Sequence, residues 1–183
     1  MWQDEISIME CCKGNCEMTR GFTLFELVIA IAVLSTLLVA AGPSFSHLLE
    51  NQNMKRFAGE VEGFFIQAKS EAVLQNKELK LFYLNESTDW IISLNPAGST
   101  ATTISGIKLT SLSYIDSINH PDMKISSSVS SITFDSVRAT PNLSRSFYFY
   151  KDNAKQLKLS THNITGRIKL CGNGGTFYGY NEC

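Results

Sequence analysis

From Phe22 to Gly42 the chain runs for twenty-one residues with a single charged side chain, Glu26, and the stretch from Leu27 to Ala41 is largely apolar. About 20 such residues cover a hydrocarbon core of about 30 Å, so this segment predicts a helix long enough to span a bilayer. After Pro43 the pattern turns amphipathic. Phe45, Leu48, Leu49, Met54, Phe57, Ala58, Val61, Phe64, Phe65, Ala68 and Ala72 recur mostly at spacings of three and four. Glu50, Lys55, Glu60, Glu62, Lys69 and Glu71 occupy the other faces. The spacing predicts that the helix continues to about Asn76, its second half laid against a domain. At 1.5 Å per residue the whole helix would reach about 80 Å. Pro43, after Gly42, predicts a bend between the halves, because proline removes a backbone hydrogen bond and crowds the preceding turn.

From Glu78 the period changes. Leu79–Leu84 and Asp89–Leu94 read as paired strands around a polar turn at Asn85–Thr88. Residues 95–130 are rich in Ser and Thr, with weak strand patterns near Ile104–Leu112 and Met123–Ser126. Ser131–Asp135 alternates cleanly, and a turn follows over Ser136–Pro141. Arg145–Tyr150, Lys155–Ser160 and Ile164–Cys171 complete the strands. A long helix followed by many strands predicts an α+β fold, the helix packed on an antiparallel sheet. The expected divisions are residues 1–21, a leader; 22–43, the membrane half of the helix; 44–76, its amphipathic half; and 77–183, a β-rich domain. No internal repeat or low-complexity linker interrupts them.

At 183 residues the chain suits one domain plus an anchor, and its 44% hydrophobic content suffices for a modest core. Net charge is −1 and becomes +1 without residues 1–21. The distribution is more informative than the total. Residues 44–135 carry −3, while residues 136–183 carry +5. Cys11, Cys12 and Cys16 crowd the first 21 residues, with no second His or Cys group to complete a metal site. Met18-Thr19-Arg20-Gly21 would itself make a short basic leader, so Met18 is an alternative start. Cys171 and Cys183 then remain, an even number on the exported side, which favours a disulfide between them.

Glu26 is the residue that needs a reason. A carboxylate near the end of a membrane span costs less than at its centre, yet it still requires a partner or a task. Cleavage after Gly21 would create an α-amino group four residues before Glu26, supplying the missing counter-charge. An ordinary secretory signal is the alternative, with Ala40-Ala41-Gly42 as its small-residue site, but it leaves Glu26 without a role.

The string Gly21-Phe22-Thr23-Leu24-Phe25-Glu26-Leu27-Val28-Ile29 resembles the class III signal of type IV pilins and type II secretion pseudopilins. The resemblance implies cleavage by prepilin peptidase between Gly21 and Phe22 and N-methylation of Phe22. It also implies a filament-assembly role for Glu26, at the fifth mature position, and for Pro43, at the twenty-second. Other pilins or pseudopilins of one filament are the implied partners. The implied location is the inner membrane of a Gram-negative bacterium, with the C-terminal domain in the periplasm. Ala68–Asn76, Phe134-Asp135-Ser136 and Thr165–Cys171 resemble the GspH/FimT branch of minor pilins and pseudopilins. Val137 and Arg138 stand where that branch often has a glycine.

Lys155 and Lys158, with Arg167 and Lys169, are expected on adjacent strands, and Gly166-Arg167-Ile168-Lys169 resembles the Gly-Arg-x-Arg tail of FimT-type pilins, which implies DNA capture. Lys169 keeps the charge of the second arginine and loses its bidentate fork. The alternative is a solvated strand face or an intersubunit contact. Phe177, Tyr178 and Tyr180 either stack on bases or cover the sheet edge beneath the disulfide loop. His47, His120 and His162 have no nucleophile at a useful spacing, and no metal, cofactor or phosphate-binding motif is readable, so no enzyme is expected.

Overall fold

Helix α1 (Leu24–Leu74) starts immediately after Phe22 and Thr23 and ends where Asn76 adopts the left-handed conformation, φ 49°. The Lys77 amide donates to the Ala72 carbonyl and the Asn76 amide to Val73, which closes the last turn. The computed structural model describes residues 22–100 and 102–183, with backbone alone for residues 40–44. The expected leader, with its three cysteines, therefore lies outside the described residues, as does the Pro43 side chain with the expected bend. The chain divides into one unit up to Phe45 and a second from Ser46 to Cys183.

In the second unit β1 (Leu79–Glu86), β2 (Asp89–Pro96), β3 (Ser113–Asp116) and β5 (Ser131–Phe134) form one sheet in the order β3-β2-β1-β5. Strands β4 (Lys124–Ser127), β6 (Arg145–Tyr150), β7 (Leu157–Thr161) and β8 (Ile168–Gly172) form another in the order β4-β6-β7-β8. Every pairing is antiparallel. The antiparallel β-region thus forms two sheets. Alternation predicts which side of a strand is buried but is silent on its neighbour, and the chain alternates between sheets at β4, β5 and β6.

The apolar stripe of α1 serves both sheets. Met54, Phe57, Ala58, Val61, Phe64, Phe65, Ala68 and Ala72 are all buried in one cluster with Leu79, Leu81, Trp90, Ile92, Phe147, Phe149, Leu157 and Leu159. Phe57 meets Trp90 of β2 at 5.7 Å and Phe149 of β6 at 5.9 Å between ring centroids, both edge-on. Phe65 meets Phe147 at 5.0 Å. The sheets are joined directly as well: the Tyr83 hydroxyl donates to the Ile125 carbonyl, and Trp90 Nε1 donates to that of Met123. Polar tips of buried rings usually find acceptors in this way.

Several boundaries move. The β1–β2 turn shrinks to Ser87 and Thr88, with Ser87 at φ 59°. Ile104–Leu112, expected as a strand, contains helix α2 (Ile104–Thr110). Thr103 caps it by accepting from the Gly106 amide, and Ile104 and Ile107, three apart, pack on Phe82, Leu84 and Ile91. Their β-branching favours a strand by propensity, but the cap and the apolar outer face of the first sheet decide for the helix. Asn95 pins α2 by donating to the Ile107 carbonyl and Thr110 Oγ1.

Candidate functional site

At the helix start, Thr23 Oγ1 accepts the Glu26 amide at 3.2 Å and the Thr23 carbonyl accepts the Leu27 amide at 3.1 Å. Thr23 is therefore the N-cap, and Glu26 occupies the third helical position of a Thr-x-x-Glu capping pattern. Its carboxylate is exposed and has no polar partner among the described residues. An anion in the first turn suits the positive end of the helix dipole. Around it almost every apolar side chain faces outward, from Leu24 at 81% exposure to Val39 at 80%. Among the described residues no helix is long and apolar enough to cross a membrane.

The four cations of the C-terminal part separate. Lys158 lies on β7 and Lys169 on β8, as expected. Lys155 does not: it closes a turn before β7, its amide donating to the Asp152 carbonyl. Arg167 precedes β8, because residues 162–167 form a tight turn in which the Gly166 amide donates to the His162 carbonyl and Gly166 takes φ 63°. The register pairs Lys158 with Tyr148 and Cys171, Lys169 with Ser160, and Lys124 with Tyr150. Directly paired residues share a face, so Lys124, Tyr148, Tyr150, Lys158 and Lys169 stand together on the outer side of the second sheet. Lys169 Nζ donates to the Cys183 carbonyl at 3.2 Å. Lys155, Lys158 and Arg167 have no polar side-chain partner among the described residues.

Three short elements distant in sequence meet behind that turn. Lys69 Nζ, from α1, donates to the Gly166 carbonyl at 2.6 Å. A Cβ on Gly166 would stand 3.2 Å from the Ala139 carbonyl and 3.3 Å from Lys69 Nζ. Asp135 shapes the neighbouring turn by accepting from the amides of Arg138 and Val137, and these bonds, that of Arg138 foremost, hold its carboxyl below the usual range. The left-handed residue there is Ala139, φ 54°, and not Val137 or Arg138. Gly166 thus has a structural reason of its own.

Cys171 and Cys183 are joined in a disulfide, with Cα atoms 5.0 Å apart. The intervening loop turns its aromatics inward. Tyr178 is buried in the main core, and Phe177 and Tyr180 pack against it. Burial raises the phenol pKa of both tyrosines, with the charges of Glu50 and Asp152 adding to it for Tyr178 and that of Glu62 for Tyr180. These rings are not a solvent-facing platform. His120 is likewise built in: it lies under Trp90 at 19° between planes and 3.2 Å from Glu60. Among the described residues no group of three or more His, Cys, Asp or Glu could hold a metal ion.

The sequence reading missed Thr23 as a cap, although Thr-x-x-Glu ahead of an apolar run is the signal for one. It also missed Tyr148, Tyr150 and Lys124, whose common face depends on a register that a sequence does not state.

The prokaryotic N-terminal methylation motif matches residues 18–42. In three dimensions the chain is similar to the type IV minor pilin FimU of Pseudomonas aeruginosa. One crystal form of that protein gives 20% identity and a TM-score of 0.52 over 69% of this chain and 97% of FimU. A second crystal form gives 19% and 0.49 over 66% and 97%. No curated protein matches the chain in sequence. The chain carries the prokaryotic N-terminal methylation motif on the α+β fold of a type IV minor pilin.

Proposed function

We propose that the chain is a minor pilin or pseudopilin of the GspH/FimT type. Prepilin peptidase cuts it between Gly21 and Phe22, Phe22 is methylated, and the product joins or primes a type IV pilus or type II secretion filament. Its work is assembly, with no substrate turned over. The observation that carries this reading is the exposed apolar helix surface from Leu24 to Val39, with one carboxylate in its first turn that has no polar partner among the described residues, within a methylation motif. Water does not tolerate so continuous an apolar surface. Lipid covers it before assembly and neighbouring helices cover it afterwards. On this reading the protein sits in the inner membrane, with its domain in the periplasm, until it enters the filament. Mass spectrometry of the membrane form is expected to give a chain that begins at Phe22 and carries one added methyl group. Gly21→Leu is expected to retain the leader. An intact leader on the unaltered protein in peptidase-positive cells would refute the reading.

A second reading, DNA binding without sequence preference, has its support in Lys155, Lys158 and Arg167, which have no polar side-chain partner among the described residues, and in the +5 balance of residues 136–183. If all four cations contact phosphates of a duplex, the log–log dependence of affinity on salt should have a slope of roughly −3.6, made shallower by about one in Arg167→Gln. Anisotropy titrations of the detergent-solubilised protein at several salt concentrations test this. Absence of binding at low salt, or binding indifferent to Arg167→Gln and Lys169→Gln, returns the face to an ordinary solvated surface.

A further inference from the structure

We infer that the cleft between α1 and the turn after β5 docks an amphipathic helix of another protein, one that brings an apolar ridge and a single carboxylate. The cleft has a volume of about 420 Å³ and is lined by Ile66, Lys69, Ser70, Val73 and Leu74 of α1 and by Ala139. It lies wholly in the second unit, apart from the stretch of α1 given above to lipid.

Two independent features define the occupant. The first is apolar surface at helical spacing. Ile66 and Val73 are seven residues apart, two turns along one face, and Leu74 widens that face; they are 52%, 43% and 79% exposed. A strip of this kind suits another helix, whose side chains at intervals of three, four and seven seat between its ridges. Ser70 stands midway, a small side chain whose hydroxyl hydrogen is already spent on the Ile66 carbonyl at 3.1 Å. The second feature is charge. Lys69 is half-buried in the same cleft, and its ammonium carries three donors. One goes to the Gly166 carbonyl, which fixes the side chain in place. Among the described residues no carboxylate lies within ion-pair distance of it. A partly desolvated ammonium with one neutral acceptor is under-compensated, and a carboxylate supplied by the partner corrects that. A wholly apolar partner would bury the ammonium further without compensation, so the cation selects against it. A phosphate-rich partner would match the cation and leave the apolar walls uncovered.

The test uses the full-length chain in a neutral detergent and a fluorescent, capped amphipathic peptide. Its leucines match the interval of Ile66 and Val73, with a glutamate between them on the same face; a counterpart peptide has glutamine instead. In anisotropy titrations the unaltered chain should bind the glutamate peptide about fivefold more tightly than the glutamine one, the upper range for a charge pair that stays partly solvated. Lys69→Met should remove that preference and Lys69→Arg should keep it. Ile66→Asp, a change at an exposed position of the helix, should weaken the glutamate peptide by about tenfold or more, since it sets a charge against the apolar ridge. Equal binding of the two peptides to the unaltered chain overturns the inference, as does the absence of saturable binding. Binding that Ile66→Asp leaves unchanged overturns it too, because the peptide would then be held by the detergent or by another surface. Self-association of the unaltered chain that Ile66→Asp abolishes, with no peptide bound, would give the cleft to a second copy and equally overturn it.

Discussion

Glu26→Ala is expected to enter the membrane normally and to be nearly absent from sheared filaments. The carboxylate is exposed in the first turn of α1 with no polar partner among the described residues, so its removal breaks no fold contact and eases transfer into lipid. Assembly is where the loss should appear. A neighbouring subunit's N-terminal amine would then be buried without a counter-charge, and removing one member of a buried pair costs about 3–5 kcal/mol. That amounts to a hundredfold or greater loss of incorporation. Glu26→Asp keeps the charge on a shorter arm and should fall between. Quantifying the protein in membrane and sheared fractions separates insertion from assembly. Equal recovery of Glu26→Ala and the unaltered protein in the sheared fraction would rule out the pairing.

The second large effect concerns the C-terminal loop. The paired substitution Cys171→Ser and Cys183→Ser should lower the stability of the domain by about 3 kcal/mol, the loop-closure entropy expected for a bridge of this span. For a domain of this size that corresponds to a fall in Tm of roughly 10 °C. The loop also delivers Tyr178 and Tyr180 to the core, so the effect should reach α1 and not stay local. Thermal unfolding of the solubilised protein, with and without reductant, measures it. An unchanged Tm in the double variant would mean that the loop is held by its aromatics alone.

How much of this was legible follows from what each residue depends on. The α1 stripe from Met54 to Ala72 depends only on its own spacing, and all eight positions are buried. The β1–β2 hairpin was readable for the same reason, since its partners are neighbours in sequence. Helix α2 was not, because Ile104 and Ile107 take their conformation from Phe82 and Ile91 on strands far upstream. β3 is four residues long, with polar Ser113 and Asp116 at its ends, too short to show a period. At the candidate site, Glu26 stood out because charge is rare in apolar sequence. The cationic face was only half legible: Lys158 and Lys169 were placed on adjacent strands, whereas the turn built by Gly166 and Lys69 moved Arg167 off β8. The Gly-Arg element therefore carries a packing residue beside an exposed cation.

The alternation of β4, β5 and β6 between the two sheets governs how the domain reaches its native state. Neither sheet is a continuous stretch of chain, since β5 returns to pair with β1 after β4 has been assigned to the other sheet. A partly synthesised chain that ends after β5 holds every strand of the first sheet but only β4 of the second. A chain ending at residue 134 would leave β4 without β6, and Phe57 would have Trp90 on one side and nothing in place of Phe149 on the other. Native pairings of this kind close long loops before they are rewarded, which makes folding slow. The side of the α1 stripe that packs on the second sheet must then wait, uncovered, until β6, β7 and β8 have been made.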